Sequence, residues 1–549
     1  MEPSTQNGLD SMDVALASRL CAMASEANPG WVSGADTFLA VALASRAMHR
    51  GFVCLDLLAL GSGALLDQDE VRLPDPETLV KALGPLCRRS DEGRNTPLVL
   101  DLSSGRPKLY LDRYWRYECI VFEEVKARIA SGAADFAAEA LARLLPGNEP
   151  LHNAAMTCAS RRFSLLSTGD WTARVLAGTI LALLPRHPDL RIRILASTGR
   201  AAAQMRKDLI EALVPVWSDR EAMPVATGTF HDGPTGGQFF EDDVVVVGDA
   251  SALDIRAMAR LLERVPRRAR LVLVGDRNHL ASPVCGTVFR DLFDALSGSG
   301  AAVELPRVDE SPKASLLGAI MRSDIGSVLG LLGGGGVTFV PMGPNDSLGS
   351  LMPIVVEAYG NVFKTAVEEM RAGGDLGDAA PALEALGRFR ILCVESLGPR
   401  GAMTMNRVVQ QWVSPARRLC PIVLQGNAIM DDLCSGDLGV LVRDPHDRDR
   451  SRAYFQGPDG VKEVLEARLP AYESAFALTV HRGQGLGADH VLLVLPEGPC
   501  PALNREAICI ALAQARQHVT LAGSRDVLCE GISRQAGRAT GLVDRFEAR

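Results

Sequence analysis

Lysine is scarce in this chain. Of 58 basic residues only seven are lysines, at positions 81, 108, 126, 207, 313, 364 and 462, and none follows a glycine. A loop of the Walker type cradles phosphate with glycine backbone N–H groups, a lysine that reaches the terminal phosphates and a Ser or Thr hydroxyl on magnesium. No intact copy of that loop exists in the sequence. Long apolar runs are missing too. Nothing approaches the roughly 20 residues that span a bilayer, and no N-terminal stretch pairs a basic start with an apolar segment, so a cytoplasmic protein without membrane contact is expected. The 12 cysteines, Cys54, Cys158, Cys285, Cys393 and Cys509 among them, form no C-x-x-C pair and have no histidine at metal spacing. Reduced core thiols are expected rather than zinc ligands or disulfides. The nine histidines make no zinc pattern, no Ser-His-Asp or Cys-His arrangement stands out, and no metal site is expected.

What is present points to a large globular chain. The 549 residues are 47% hydrophobic and 23% charged, enough for three or four domains with cores of their own. The net charge of -8 would not draw the chain as a whole to nucleic acid, so any DNA-binding surface has to be a local basic groove. Paired acids such as Asp242-Asp243 and Asp431-Asp432 read as solvated loop charge.

The first ~145 residues read as one unit, with helical stretches at 36–49 and 118–145 around a strand-and-turn region. From about 150 to 300 apolar strands alternate with amphipathic helices: F-S-L-L-S, I-R-I-L-A-S, D-V-V-V-V-G-D and R-L-V-L-V-G-D. That alternation predicts a parallel doubly wound sheet whose ligand crevice lies at the carboxyl ends of its strands. The Gly333 to Gly336 run is a hinge or linker candidate, and Gly373-Gly374 lies in a second break. R-I-L-C-V follows, then a Gly/Asp/Pro-rich all-β stretch, and finally a return of the strand-helix pattern with H-V-L-L-V-L-P and V-T-L-A-G.

One strand end stands apart. F-S-L-L-S enters the turn S-T-G-D-W-T-A-R-V and leaves as an apolar helix. This is the frame of a phosphate loop without its chemistry: Gly169 is its one glycine, Arg174 stands where the lysine would be, Val175 replaces the hydroxyl, and Asp170 puts a carboxylate beside the site.

An ordered set of segments carries a resemblance. K-L-Y-L-D-R-Y-W begins at 108, R-I-L-A-S-T-G-R-A-A-A at 193, V-V-V-G-D-A-S at 245, L-V-G-D-R-N-H-L-A-S at 273, S-G-D-L-G at 435, T-V-H-R-G-Q-G at 479 and H-V-L-L-V-L-P at 490. In this order they resemble the RecD family, the alpha subunits of bacterial exodeoxyribonuclease V (RecBCD), superfamily 1 DNA helicases. The resemblance implies an α/β fold of two RecA-like, P-loop-NTPase-type domains, a small inserted SH3-like β module and a mainly helical N-terminal domain. The implied boundaries are 1–147 for the partner-docking domain, 148–305 for RecA-like domain 1A, 306–414 with 471–549 for domain 2A, and 415–470 for the module.

The family's ATPase residues, carried over, are mostly substituted. The adenine-reading glutamine is matched by His152, the lysine by Arg174, the magnesium hydroxyl by Val175, the magnesium aspartate by Gly248 and the water-activating glutamate by Asp249. The phosphate-sensing glutamine is His279, Arg307 is the nearest match to a further arginine, and the arginine finger is Gln514, two positions before Arg516. Gly169, Thr172, Arg174 and Asp276 are thus vestigial nucleotide-binding positions, and Arg174, Asp249 and Arg516 vestigial catalytic ones. The DNA-facing pattern is better kept. Thr198, Gly199 and Arg200 match one phosphate-touching motif, and Thr479, His481, Gln484 and Gly485 match another, with Gly483 in place of a serine. Such groups hold phosphates without reading sequence.

An arginine finger alone carries about 10³ to 10⁵ in rate, and a planar guanidinium does not replace a lysine's point charge inside a closed loop. The expectation is therefore a RecD-like subunit that binds single-stranded or duplex-end DNA beside RecB-like and RecC-like partners, with its own motor inactive. ATP and Mg²⁺ would be cofactors only of an active motor. Two alternatives stay open: a divergent but active ATP-dependent 5′-to-3′ helicase, and a free-standing non-enzymatic nucleic-acid-binding protein. Gly248-Asp249 and Gly275-Asp276 also have a plain reading as strand-end turns, and Trp171 either fills the empty nucleotide pocket or lies on the surface.

Overall fold

The computed structural model describes residues 9, 11–58, 75–131, 136–137, 148–167, 171–187, 189–197, 199–214, 225–230, 241–277, 286, 288–305, 311–360, 380–413, 419–425, 433, 436–443, 451–457, 460–483, 486–500, 502–534 and 540–547. The chain forms two compact units, residues 1–308 with 537–549, and residues 309–536.

The first unit opens with helices Ser11–Ala27, Ala35–His49, Pro76–Leu83 and Asp112–Ala130, set around strands β1 (Leu55–Asp56), β2 (Cys87–Arg89), β3 (Leu98–Asp101) and β4 (Lys108–Leu111) in the order β1-β4-β3-β2. Helix Pro76–Leu83 starts where it does because Asp75 accepts from the amides of Glu77 and Thr78 and Pro76 needs no amide partner. Helix Ser11–Ala27 was not legible in the sequence: its buried side is alanine, cysteine and a single aspartate, Asp13, which accepts from Ser45 Oγ at 2.7 Å and lies 2.8 Å from His49 Nδ1.

A parallel sheet follows: β5 (Phe163–Ser167), β6 (Ile192–Ala196), β7 (Val225–Thr229), β8 (Val244–Val247), β9 (Arg270–Val274) and β10 (Ala302–Glu304), in the order β10-β5-β9-β8-β6-β7. Its alternate residues sort to opposite cores, as a sheet covered on both faces requires. Leu165, Val245, Val247, Leu271 and Leu273 share a core with the N-terminal helices and with helix Ile255–Arg264, while Leu166, Val244, Val246 and Val272 share one with helices Glu149–Ser160, Thr172–Leu183 and Gly199–Leu213. Residues 1–147, expected as a separate unit, thus continue into the sheet. The joint is polar as well. Arg128, 1% exposed, donates to the carbonyls of Leu262 (3.1 Å) and Val265 (2.5 Å), satisfying the end of helix Ile255–Arg264, and pairs with Glu124 at 2.6 Å.

The chain's end corrects one expected boundary. Residues 537–549 lie with the first unit and not with the second domain. Helix Leu542–Glu547 is held there by Arg545, which donates to Glu118 at 2.8 Å, lies 3.4 Å from Asp101 and stacks over Trp115 at 3.9 Å, while Lys108 pairs with Asp544. Glu118 is fully buried and accepts also from Tyr110 at 3.0 Å and from the Gly541 amide at 2.9 Å. A buried charge needs such partners.

The second unit contains β11 (Val337–Pro341), β12 (Phe389–Cys393), an antiparallel sheet of β13 (Leu419–Leu424), β14 (Leu438–Val442), β15 (Arg452–Gly457), β16 (Gly460–Leu465) and β17 (Tyr472–Ser474), then β18 (Ala477–Thr479), β19 (Ala488–Val494) and β20 (Ala515–Gly523). The parallel sheet runs β11-β20-β19-β12-β18, and the inserted one β16-β15-β14-β13-β17, so the insert's last strand falls just past residue 470. These are the two RecA-like sheets and the β insert that the sequence led us to expect. Gly333 to Gly336 is not the division between units. It turns the chain from helix Ile325–Leu331 into β11, with φ of 96°, 57° and 88° at Gly333, Gly335 and Gly336. A Cβ on Gly336 would lie 2.9 Å from the Gln517 carbonyl of the adjoining strand. Gly373-Gly374 lies outside the described residues.

The ten described cysteines are free thiols. Burial pushes Cys158 and Cys393 up to about 12. No helix among the described residues is long and apolar enough to cross a membrane.

Candidate functional site

The carboxyl ends of β5, β6, β8 and β9 bring the candidate nucleotide positions of the first unit to one edge of the sheet. Gly169 and Asp170, between β5 and the next helix, lie outside the described residues. The helix itself begins at Thr172, half-buried. Arg174 is exposed, and its guanidinium sits over the Trp171 ring at 5.3 Å from the centroid, while Val175 is wholly buried in the core. Trp171 therefore lies at the helix start as the platform for Arg174, and the residue standing for the magnesium hydroxyl faces the interior.

Gly248 ends β8 in a closed space. A Cβ built there would lie 2.2 Å from Met205 Sδ, 3.1 Å from Met205 Cε and 3.6 Å from the Leu195 carbonyl. The close neighbour is the movable end of the partly exposed Met205 side chain on helix Gly199–Leu213. Asp249 follows in the left-handed region, φ 52° and ψ 30°, a conformation Asp tolerates better than most residues. Its Oδ2 accepts from Ser197 Oγ at 2.9 Å, so the carboxylate at the water-activating position is tied to the end of β6. Met205 carries no local signal in the sequence. Ser197 precedes Thr198 in the R-I-L-A-S-T-G-R run.

At the end of β9, Gly275 donates to the Leu166 carbonyl at 2.9 Å, and its Cα approaches so closely that a Cβ would meet the Ser251 amide nitrogen at 3.0 Å and Phe289 at 3.1 Å. Asp276 is half-buried beside it. Arg277, unremarked in the sequence, is the best anchored cation of this edge: it bonds Glu304 at 2.9 Å and Asp294 at 2.8 Å and lies over Phe293. Partial burial pulls its pKa down, but the bonds and charges of Glu304 and Asp294 outweigh that and raise it. His279 and Arg307 lie outside the described residues. His152 is half-buried in helix Glu149–Ser160, whose N-cap Asn148 accepts from Leu151.

The phosphate-touching segment after β6 continues from Ser197 into helix Gly199–Leu213. Thr198 and the side chain of Arg200 lie outside the described residues. In the second unit, Thr479 closes β18, with its Oγ1 accepting from the Arg482 amide at 3.4 Å and its carbonyl from Gly483 at 2.9 Å. His481 is half-buried in that turn, and Gln484 and Gly485 lie outside the described residues. A Cβ on Gly483 would lie 2.5 Å from Leu392 Cδ2, so the serine expected at this place would not fit without a shift of Leu392. Gln514, at the finger position, is 8% exposed with neither amide atom bonded. Arg516 points elsewhere, to Asp489 at 3.1 Å and the Gly387 carbonyl at 3.4 Å.

In the first unit the described positions carried over from the ATPase signature hold an arginine over Trp171, a buried valine and a glycine beside the Met205 thioether, a set without the lysine, hydroxyl and carboxylate that would hold a magnesium nucleotide. Thr479 and the Thr479–Gly483 turn stand at the carboxyl end of β18.

Residues 5–107 match the family described as the RecBCD enzyme subunit RecD, N-terminal domain, and residues 174–337 match an AAA domain family. The chain is 31% identical over 577 aligned positions to the RecBCD enzyme subunit RecD of Mycobacterium tuberculosis, covering 98% of this chain and 95% of that one. It is 32% identical over 582 positions to the RecBCD enzyme subunit RecD of Mycolicibacterium smegmatis, covering 98% and 97%. An ATP-dependent RecD2 DNA helicase of Deinococcus radiodurans is 25% identical over 402 positions, covering 71% of this chain and 51% of that one.

Proposed function

The chain belongs to the RecD family, and on that premise we propose that it is the RecD-like subunit of a RecBCD-type DNA end-processing complex in double-strand-break repair, holding single-stranded DNA and partner subunits while its own motor does not turn over ATP. The observation that carries the reading is at the start of helix Thr172–Leu183, where the lysine position holds an exposed arginine over Trp171 and the hydroxyl position a valine wholly buried in the core. Phosphoryl transfer is catalysed almost entirely by positioning and by charge placed on the phosphates. A site without the lysine, the metal carboxylate and the finger supplies neither.

What is left suits a passive grip. Hydroxyls, backbone donors and arginines at strand ends hold phosphates whatever the sequence of the strand. The N-terminal region would serve as the docking surface for RecB-like and RecC-like partners, its mycobacterial relatives being RecBCD enzyme subunits.

DNA-stimulated ATP hydrolysis by the purified chain, alone and with partner subunits, is the test, with equilibrium nucleotide binding measured on the same sample. No turnover attributable to this chain is the expected result. A DNA-stimulated rate abolished by Arg174→Ala would overturn the reading. It would favour the second one, a divergent 5′-to-3′ helicase, for which the fixed Asp249 carboxylate on Ser197 is the specific support.

A further inference from the structure

Helix Ile255–Arg264 is sharply two-sided. Ile255, Met258, Ala259, Leu261 and Leu262 enter the core shared by the sheet and the N-terminal helices. Arg256 and Arg260 are exposed and Arg264 is half-buried, at successive i, i+4 positions. One helical turn brings such side chains about 6 Å apart, so three cations of one sign form a row down the helix. Like charges at this spacing repel and weaken a helix.

Nearby arginines are neutralised and these are not. Arg267 pairs with Glu124 at 2.7 Å, and Arg128 with the same carboxylate. Among the described residues Arg256, Arg260 and Arg264 have no ion-pair partner. Glu263, the one acid of the helix, is exposed and bonds none of them. Asp254 is engaged, its Oδ1 accepting from the Ala257 amide at 2.6 Å as the helix cap.

The row borders a groove of about 320 Å³ lined by Phe230, Asp254, Arg256, Ala257, Arg260, Leu261 and Arg264. Phe230 places an aromatic ring in it, and its amide donates to the Ala196 carbonyl at 3.2 Å. Ala196 is the last residue of β6, next to Ser197 and the T-G-R segment. Through this bond the groove's Phe230 is tied to the carboxyl end of β6.

We infer that this groove is a second track for single-stranded DNA, in which Arg256, Arg260 and Arg264 take successive phosphates and Phe230 offers its ring to a base. The inference rests on the DNA-holding reading above and extends it from the strand ends onto the flank of the first unit. The net charge of -8 makes a local row of this kind necessary for a polyanion to settle. A single strand is favoured over a duplex because an unstacked base is free to lie on an aromatic ring.

The test uses the full chain and a fluorescent oligo-dT of 20 nucleotides, with a 20-base-pair duplex as comparison, over a range of salt. The variant Arg256→Gln/Arg260→Gln/Arg264→Gln should weaken oligo-dT binding about tenfold or more near 0.1 M salt and reduce the slope of log K against log salt by about 2, since each single-strand phosphate contact contributes about 0.7. The matching triple lysine variant should recover the slope, and Phe230→Ala should weaken binding about fivefold with the slope unchanged. Unaltered thermal melting shows that the variants fold. Parental affinity and slope in the glutamine variant would overturn the inference while leaving the strand-end reading intact, provided Thr198→Ala/Arg200→Ala weakens binding. A parent that binds no oligo-dT overturns both. Loss of co-purifying partner subunits with DNA binding intact would overturn it in favour of an acidic protein surface.

Discussion

Ser197 Oγ donates to Asp249 Oδ2 across 2.9 Å, joining the end of β6 to the end of β8. One end of this bond lies beside the T-G-R segment and the other follows strand β8. The bond is exposed, and its contribution to stability is below about 1 kcal/mol.

Asp249 tests how much of this turn is conformational. With φ at 52°, Asp249→Gly should be neutral or stabilising by up to about 1 kcal/mol, because glycine adopts that φ freely. Asp249→Val should lose about 1–2 kcal/mol, since a β-branched side chain resists the left-handed region. Urea denaturation of the two variants, read against the parent, gives the order; a valine variant as stable as the glycine one would contradict the geometry.

Gly248→Asp, intended to restore a metal carboxylate, should destabilise the first unit by about 1–3 kcal/mol, mainly through burial of a carboxyl, since the partly exposed end of Met205 can swing aside. Met205→Ala in the same chain should return little of that loss. Full recovery on the second substitution would assign the loss to packing against Met205 instead. Neither variant, with or without Arg174→Lys, should turn over ATP.

The clamp on the last helix should matter more than its length suggests. Arg545→Ala leaves Glu118 buried with its charge uncompensated, which costs about 3–5 kcal/mol. Glu118→Gln combined with Arg545→Met should cost less than the two single changes added together, because the pair is removed as a unit. Calorimetric melting of the four proteins measures the coupling, and strict additivity would mean that the two groups do not depend on each other.

The second unit carries its own pH dependence. Burial, and secondarily the charge of His518, lower His490 to about 4; His490 Nε2 lies 2.9 Å from Thr520 Oγ1, and His518 Nε2 lies 2.9 Å from Thr338 Oγ1. Phe389 faces the His490 ring at 5.0 Å. The folded protein resists protonation that the unfolded chain accepts near 6.5, so this contribution is complete above pH 6.5 and is lost as pH falls from there to about 4. The loss is about 1–2 kcal/mol after allowance for the solvent that still reaches the ring. His490→Leu should therefore narrow the stability difference between pH 7 and pH 4.5, measured by denaturant midpoints, and an unchanged difference would assign the acid loss to carboxylates.

Legibility followed burial. Strands β5, β8 and β9 are buried at every position and read as apolar runs, because a strand covered on both faces has no polar side to show. Strand β7, V-A-T-G-T at the sheet edge with an exposed middle, and β10, three residues with none buried, left no such trace. The missing lysine and the glycine at 248 were visible because local chemistry at a strand end depends on which residue stands there.

The alternation of strands and helices along the chain, the RecD-like series of segments and the residue types at the ATPase positions were thus determined by the sequence alone, since each is a property of residues near one another in the chain. Tertiary structure alone decided that the end of Met205 lies beside Gly248, that the row from Arg256 to Arg264 borders a groove with Phe230, and that Arg545 returns to Glu118 from 427 positions away. Those contacts join residues whose spacing carries no period, and the physical reason they escape the sequence is that side-chain packing and charge pairing are settled by where elements meet in space.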